Sequence, residues 1–167
     1  NDLLMKKILD FFAENNLILN DINEVFVNQG PGNFSGLRGS LAVAKGICLA
    51  KNLNLFGYDT FTWVCSKYFG KQNFIYALIK FRERYYIKKF SKKLLGLSKI
   101  KSIMTDEILQ KYKDKFLVFP KSIKKDCDKK ILQLHNINIV DLNHNGLELL
   151  KLKGLLDKDL IKPLYLS

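Results

Sequence analysis

Gly30-Pro31-Gly32-Asn33-Phe34-Ser35-Gly36-Leu37-Arg38 is the run whose residue types and spacing could do chemistry, and that chemistry would be the holding of an anion. Glycines let a turn present several backbone N–H groups to one point, and a helix start adds the positive end of its dipole. Ser35 is a candidate N-cap, its hydroxyl accepting from an early helical N–H. The spacing fails the ATP-type phosphate loop, in which Lys and then Ser or Thr follow the last glycine, because Leu37 and Arg38 stand there. It also misses the dinucleotide fingerprint by one residue, reading Gly-x-Gly-x-x-x-Gly. Asp59, at the end of a following strand, is nevertheless placed to reach a ribose in a minimal dinucleotide unit. On pattern alone, a nucleotide-binding enzyme using the Gly30–Gly36 loop as a phosphate cradle stands beside a plain structural turn that sets a helix against a sheet.

Other chemistries find less support. His135 and His144 form no helical pair, and Cys127 between Asp126 and Asp128 reads as a turn residue, so no metal site is expected. Ser35 lacks the Gly-x-Ser-x-Gly frame of a nucleophile elbow. No catalytic residue and no cofactor is assigned.

The loop needs elements on both sides. Glu24–Asn28 reads as a strand, and a helix is expected from about Gly36 to Lys51. Leu37, Leu41, Ala44 and Cys48 recur at helical spacing as one buried stripe. Gly39, Ala42, Gly46 and Ala50 are small, which lets another backbone approach closely. Glycine costs about 1 kcal/mol against alanine inside a helix, so two interior glycines point to a packing requirement. Before this unit, Asp2–Asn15 reads as a helix with Leu4, Ile8, Phe11 and Phe12 on one face. After it, Leu53–Tyr58 reads as a strand, and Thr60 opens a short helix to about Phe69. Paired strands follow at Phe74–Ile79 and Arg84–Phe90. Further strands are expected at Ile100–Met104, Phe116–Phe119 and Ile137–Leu142. Helices are expected at Asp106–Tyr112 with Thr105 as cap, at Ile123–Leu134 and at Gly146–Leu156.

The run from Gln29 to Gly46 resembles the signature of the TsaB family, also called YeaZ. That signature is Gly-Pro-Gly-Ser-Phe-Thr-Gly-Leu-Arg, followed by a small-residue helix ending Ala-Lys-Gly. Lys162-Pro163-Leu164-Tyr165-Leu166-Ser167 resembles the family's Pro-x-Tyr-Leu-Arg ending. Between them, Ile75–Tyr86 sits where the family has Asp-Ala-Arg; Arg82 survives, while Lys80 and Phe81 replace the acid and the alanine. The resemblance implies an α/β chain with the actin-like ATPase (ribonuclease H-like) fold in two lobes, here 1–70 and a smaller basic lobe 71–167. The family begins with paired strands that this chain lacks before its first helix. The resemblance therefore implies a first lobe without its N-terminal strands and with the edge of Glu24–Asn28 exposed.

In function, the resemblance implies a non-catalytic partner subunit of the bacterial machinery that makes threonylcarbamoyladenosine in transfer RNA. Such a subunit binds and supports a TsaD-like catalytic subunit, is joined by a TsaE-like ATPase and works in the cytoplasm. It touches tRNA at most indirectly and has no membrane contact. Carried over, the family's paired long helices make Leu4, Ile8, Phe11, Phe12, Gly39, Val43, Gly46 and Ala50 interface candidates, and the same face would serve a homodimer.

Composition bounds these readings. Apolar residues make up 47% of the 167, so a packed core is expected. No run of apolar residues is long enough for a transmembrane helix. Cys48, Cys65 and Cys127 read as buried free thiols. The net charge of +12 lies entirely in residues 71–167, with clusters at Lys88, Lys89, Lys92, Lys93 and at Lys121, Lys124, Lys125, Lys129, Lys130. Such a field attracts a phosphate backbone, which makes a nucleic-acid binder a third reading, beside that of a solvated lysine-rich surface. Tyr85 and Tyr86, beside lysines, are candidates for stacking on bases.

Overall fold

The computed structural model describes Asp2–Leu166; Asn1 and Ser167, the last residue of the tail motif, lie outside the described residues. The chain divides into two compact units. One runs to Asp59 and takes back Leu156–Leu166, and the other is Thr60–Leu155. The border therefore falls after Asp59, where Gly70 was expected, and the tail belongs to the first unit. The helix from Thr60 packs on the second unit's sheet, and that packing sets the border.

The first unit comprises α1 (Asp2–Glu14), β1 (Glu24–Gly30), α2 (Phe34–Lys51) and β2 (Asn54–Asp59). β1 and β2 pair in parallel, Glu24 opposite Asn54 and Val27 opposite Gly57, with α2 as the crossover. The apolar stripe of α2 buries Leu37, Leu41, Ala44 and Cys48, together with Gly39. The core beneath it joins Val27, Leu41, Ala44 and, from the tail, Ile161. α2 starts earlier than expected because the N-cap is Asn33, whose side chain accepts from the Gly36 N–H at 2.7 Å. Ser35 is an exposed first-turn residue and caps nothing. Asn52, in the left-handed conformation, ends the helix.

The second unit is built on a five-stranded sheet of order β5-β4-β3-β6-β7, with β3 Phe74–Phe81, β4 Arg84–Ser91, β5 Lys101–Ile103, β6 Leu117–Pro120 and β7 Ile137–Val140. β3, β4 and β5 pair antiparallel, while β6 and β7 add in parallel. One face packs Leu78, Tyr85, Ile87, Leu117 and Phe119 against Ile108 of α4 (Thr105–Lys111) and Ile131 of α5 (Lys129–Leu132). The alternating residues Ile75, Ala77 and Ile79 are buried as well. α3 (Thr60–Cys65) packs on β3 and on α6 (His144–Leu152). The Trp63 indole N–H donates to the Asn143 carbonyl at 3.1 Å.

Three local expectations change. Ile123–Leu134 is not one helix: Lys121–Asp126 is 3-10, Cys127 and Asp128 are extended, and the Asp128 side chain caps α5 by accepting from the Lys130 N–H. A short acid that bonds nearby backbone favours a cap over continuation of a helix. Met104, not Thr105, occupies the N-cap position of α4, and its side chain forms no capping bond. Tyr85 and Tyr86 are 3% and 8% exposed, so neither offers a ring to a base. The three cysteines are buried and form no disulfide among the described residues. Among the described residues, no helix is long and apolar enough to cross a membrane.

Candidate functional site

The glycine turn receives the chain's own tail. Asp157 and Gly57 exchange backbone hydrogen bonds at 2.8 and 2.9 Å, which brings the tail onto β2. A Cβ on Gly57 would lie 2.9 Å from Ile161, so glycine there lets Ile161 into the core. Gln29, a buried polar residue, donates from Nε2 to the Lys162 carbonyl at 3.0 Å, and its own carbonyl accepts from the Leu164 N–H at 2.6 Å. Gly30 has φ +127°, and a Cβ would sit 2.8 Å from the Leu164 carbonyl oxygen. Gly32 and Gly36 do not share that left-handed backbone, so of the three loop glycines only Gly30 is demanded by its angle. Beyond the Gly30–Pro31 bond, the Phe34 ring stacks on Tyr165 with centroids 5.2 Å apart, and the Arg38 guanidinium lies 4.9 Å from the Phe34 centroid.

The electrostatics follow from this closure. The Gly36 and Leu37 N–H groups are used by the Asn33 side chain and carbonyl. A Cβ on Gly32 would meet the Leu37 side chain at 3.1 Å. Asn33, Leu37 and the tail therefore occupy much of the loop. It joins β1, α2 and the C-terminal segment.

The second feature is the outer face of this unit. No described side chain of α1 is fully buried: Leu4, Ile8 and Phe12 are half-buried, and Phe11 is 54% exposed. A groove of about 250 Å³ is lined by Leu4 and Ile8 of α1, Val25 and Val27 of β1, and Val43 and Ile47 of α2. A second groove, of about 370 Å³, runs from Leu3, Leu4 and Lys7 to Ser35, Gly36, Gly39 and Ser40. Leu4, Ile8 and Val43 thus meet at one place. Gly39 is buried inside its own unit, at the end of the second groove. Gly46 and Ala50 are exposed on α2, and nothing lies within 4 Å of a Cβ built on Gly46. In the second unit Lys88 and Lys89 are half-buried on β4, while Lys92 and Lys93 are exposed in the turn beyond it. Among the described residues no His, Cys, Asp and Glu cluster suits a metal.

A family model described as TsaD, tRNA N6-adenosine threonylcarbamoyltransferase, matches residues 1–78, which hold both the turn and the two helices. The "tRNA threonylcarbamoyladenosine biosynthesis protein TsaB" of Buchnera aphidicola subsp. Baizongia pistaciae (strain Bp) is 46% identical over 50 residues, 30% of this chain and 23% of that protein. The protein of the same name from Buchnera aphidicola subsp. Schizaphis graminum (strain Sg) is 31% identical over 68 residues, 41% of this chain. Within its first half the chain is similar to these TsaB proteins. Its match spans 23% and 31% of the length of those two TsaB proteins. The solved "YeaZ from Pseudomonas aeruginosa" is 15% identical and superposes with a TM-score of 0.61 over 98% of this chain and 82% of that one. A Pseudomonas aeruginosa structure described as similar to peptidase YEAZ gives the same TM-score at 14% identity. The fold shared with these YeaZ chains is the actin-like ATPase fold, as the sequence resemblance implied.

Sequence reasoning missed Gln29, Asn33, Gly57 and Ile161 as the residues that lock the family's turn. Both stretches that resemble TsaB were legible, but their partnership was not, because Gln29 and Lys162 are 133 residues apart.

Proposed function

We propose that the chain is the non-catalytic partner subunit of a complex that makes threonylcarbamoyladenosine in transfer RNA, and that it binds and supports a TsaD-like catalytic subunit through α1 and the outer face of α2. The observation that carries this is α1 itself. Its 13 residues include Leu4, Ile8, Phe11 and Phe12 along one face, yet its own chain fully buries none of them. A helix this short is marginal alone in water and draws its stability from packing of its apolar face. The Leu4–Ile8–Val43 groove receives side chains, while Gly46 and Ala50 form a low surface on which a second helix can come close. The names of the two curated relatives and of the matching family model support the transfer-RNA reaction. The use of the Gly36 and Leu37 N–H groups by Asn33 supports a binding role over a phosphate cradle. A TsaE-like ATPase would join through the complex, a homodimer would compete for the same face, and the work would be cytoplasmic.

Co-purification with the TsaD-like protein of the same cell tests this. The unaltered chain is expected to form a complex, and Val43→Arg is expected to abolish it while the fold survives. An unchanged elution volume for the Val43→Arg mixture would sink the assignment of this face. Calorimetric titration with ATP and NAD tests the enzyme alternative, which saturable micromolar binding to the isolated chain would favour.

A further inference from the structure

The second unit carries the whole net charge, and the fold gathers six of its lysines along one edge. Between Thr60 and Met104, Glu83 is the one acidic residue against eleven basic ones. The Gly70 N–H donates to the Lys92 carbonyl at 2.9 Å, which sets Lys71 beside the turn of Lys92 and Lys93. The Leu97 N–H donates to the Lys89 carbonyl at 2.8 Å, and Lys101 pairs with Ile87, so Lys99 and Lys101 run along the sheet edge beside Lys89. Lys71, Lys89, Lys92, Lys93, Lys99 and Lys101 therefore share the β4–β5 edge and its adjoining loops.

These charges are held without being neutralised. None of the six forms an ion pair among the described residues. The Lys89 ammonium lies 4.0 Å from the centroid of Phe74 and 5.7 Å from that of Tyr76, and Lys88 lies 4.9 Å from that of Phe90. A ring face orients a cation through its quadrupole and leaves the full charge available to an outside anion. A carboxylate partner would cancel it.

We infer that the β4–β5 edge of the second unit holds the phosphate backbone of an RNA. The contact is one of charge: lysine is a point charge without the planar fork that reads base edges, and the buried Tyr85 and Tyr86 offer no stacking face. The contact belongs to this chain alone, and the choice of transfer RNA as the ligand rests on the partner-subunit reading above. An anionic bilayer is the rival occupant, because Leu95 and Leu97 are 58% and 49% exposed between these lysines.

The test is fluorescence anisotropy of labelled transfer RNA titrated with the full chain at several salt concentrations. Affinity is expected to fall steeply with salt, with log K against log salt having a slope of about −3 or steeper, as for roughly four phosphates neutralised. Lys92→Glu/Lys93→Glu/Lys99→Glu is expected to lose at least about tenfold at low salt and to show a shallower slope. Lys6→Glu/Lys45→Glu/Lys51→Glu, which matches it in net charge but lies in the first unit, is expected to stay near the unaltered affinity. Equal losses in the two triple variants would overturn the inference. So would tighter binding to phosphatidylglycerol–phosphatidylcholine vesicles than to RNA. A second-unit variant that still co-purifies with the TsaD-like subunit but has lost RNA separates the two readings. Failure of co-purification by the unaltered chain would sink the partner reading and leave the titration standing.

Discussion

The two units of this chain invest their apolar residues differently. In the second unit, Leu78, Ile108, Leu117, Phe119 and Ile131 are wholly buried around one sheet. In the first, the buried cluster is Val27, Leu41, Ala44 and Ile161, while Leu3, Leu9 and Phe11 of α1 remain exposed. Charge divides the opposite way: the first unit holds seven basic and eight acidic residues, the second 21 basic and eight acidic. One unit thus keeps its apolar side chains inside and presents cations, while the other is electrically balanced and presents an apolar helix. A large closed core supplies stability of its own, whereas an amphipathic helix whose apolar face is only partly covered supplies less.

Substitutions can break or sharpen this contrast. Phe119→Ala, in the closed core, is expected to cost about 3–5 kcal/mol in urea unfolding; a loss near zero would deny the second unit its role as the stable half. Gly30→Ala comes next. It forces a Cβ into left-handed backbone and against the Leu164 carbonyl, at a cost of about 1–3 kcal/mol. Faster proteolysis of the 160–167 segment would show that the tail has been released, and an unaltered cleavage rate would refute the lock.

Tyr85→Phe removes the oxygen that accepts from the Asp128 N–H at 2.7 Å, an effect of about 1 kcal/mol at neutral pH. Burial pushes the Tyr85 phenol upward in the folded chain, against the opposing Asp128 hydrogen bond. The unfolded chain releases that proton near about pH 10 while the folded chain keeps it. The contribution is therefore complete below about pH 10 and declines as pH rises toward the folded value. Unfolding curves from neutral to alkaline pH should fall less steeply for Tyr85→Phe than for the unaltered chain. Tyr165→Ala, which removes the ring stacked on Phe34, should cost about 0.5–1 kcal/mol. Phe11→Ala should change the isolated chain by less than about 0.5 kcal/mol and still weaken the complex with the TsaD-like subunit. A large loss in the isolated chain would mean that α1 serves its own core.

What was legible in the residues was local or periodic. The stripe of Leu37, Leu41, Ala44 and Cys48 follows from helical spacing, and all four are buried. The strands at Glu24, Asn54 and Phe74 follow from apolar runs bounded by turn residues, and the charge partition can be counted directly. Pattern failed where neighbouring groups competed for one role. Asn33 took the cap from Ser35, and Asp128 caps a separate helix where hydrophobic spacing predicts one continuous helix. Side-chain direction was hidden too. Tyr85 and Tyr86 stand beside lysines in sequence but face opposite sides of a sheet covered on both faces.

The sequence by itself determined that a glycine turn joins a strand to a helix, that the preceding helix has an apolar face, and that all excess positive charge follows residue 70. Only the tertiary structure decided that much of the turn is occupied by Asn33 and by a tail arriving from the far end of the chain. It also decided that the apolar face of α1 is only partly covered, and that Lys88 and Lys89 rest on ring faces. The physical reason is reach. Helical and strand periods are set by steric and hydrogen-bonding rules acting over a few residues, whereas a contact such as Gln29 with Lys162 depends on how the whole backbone closes.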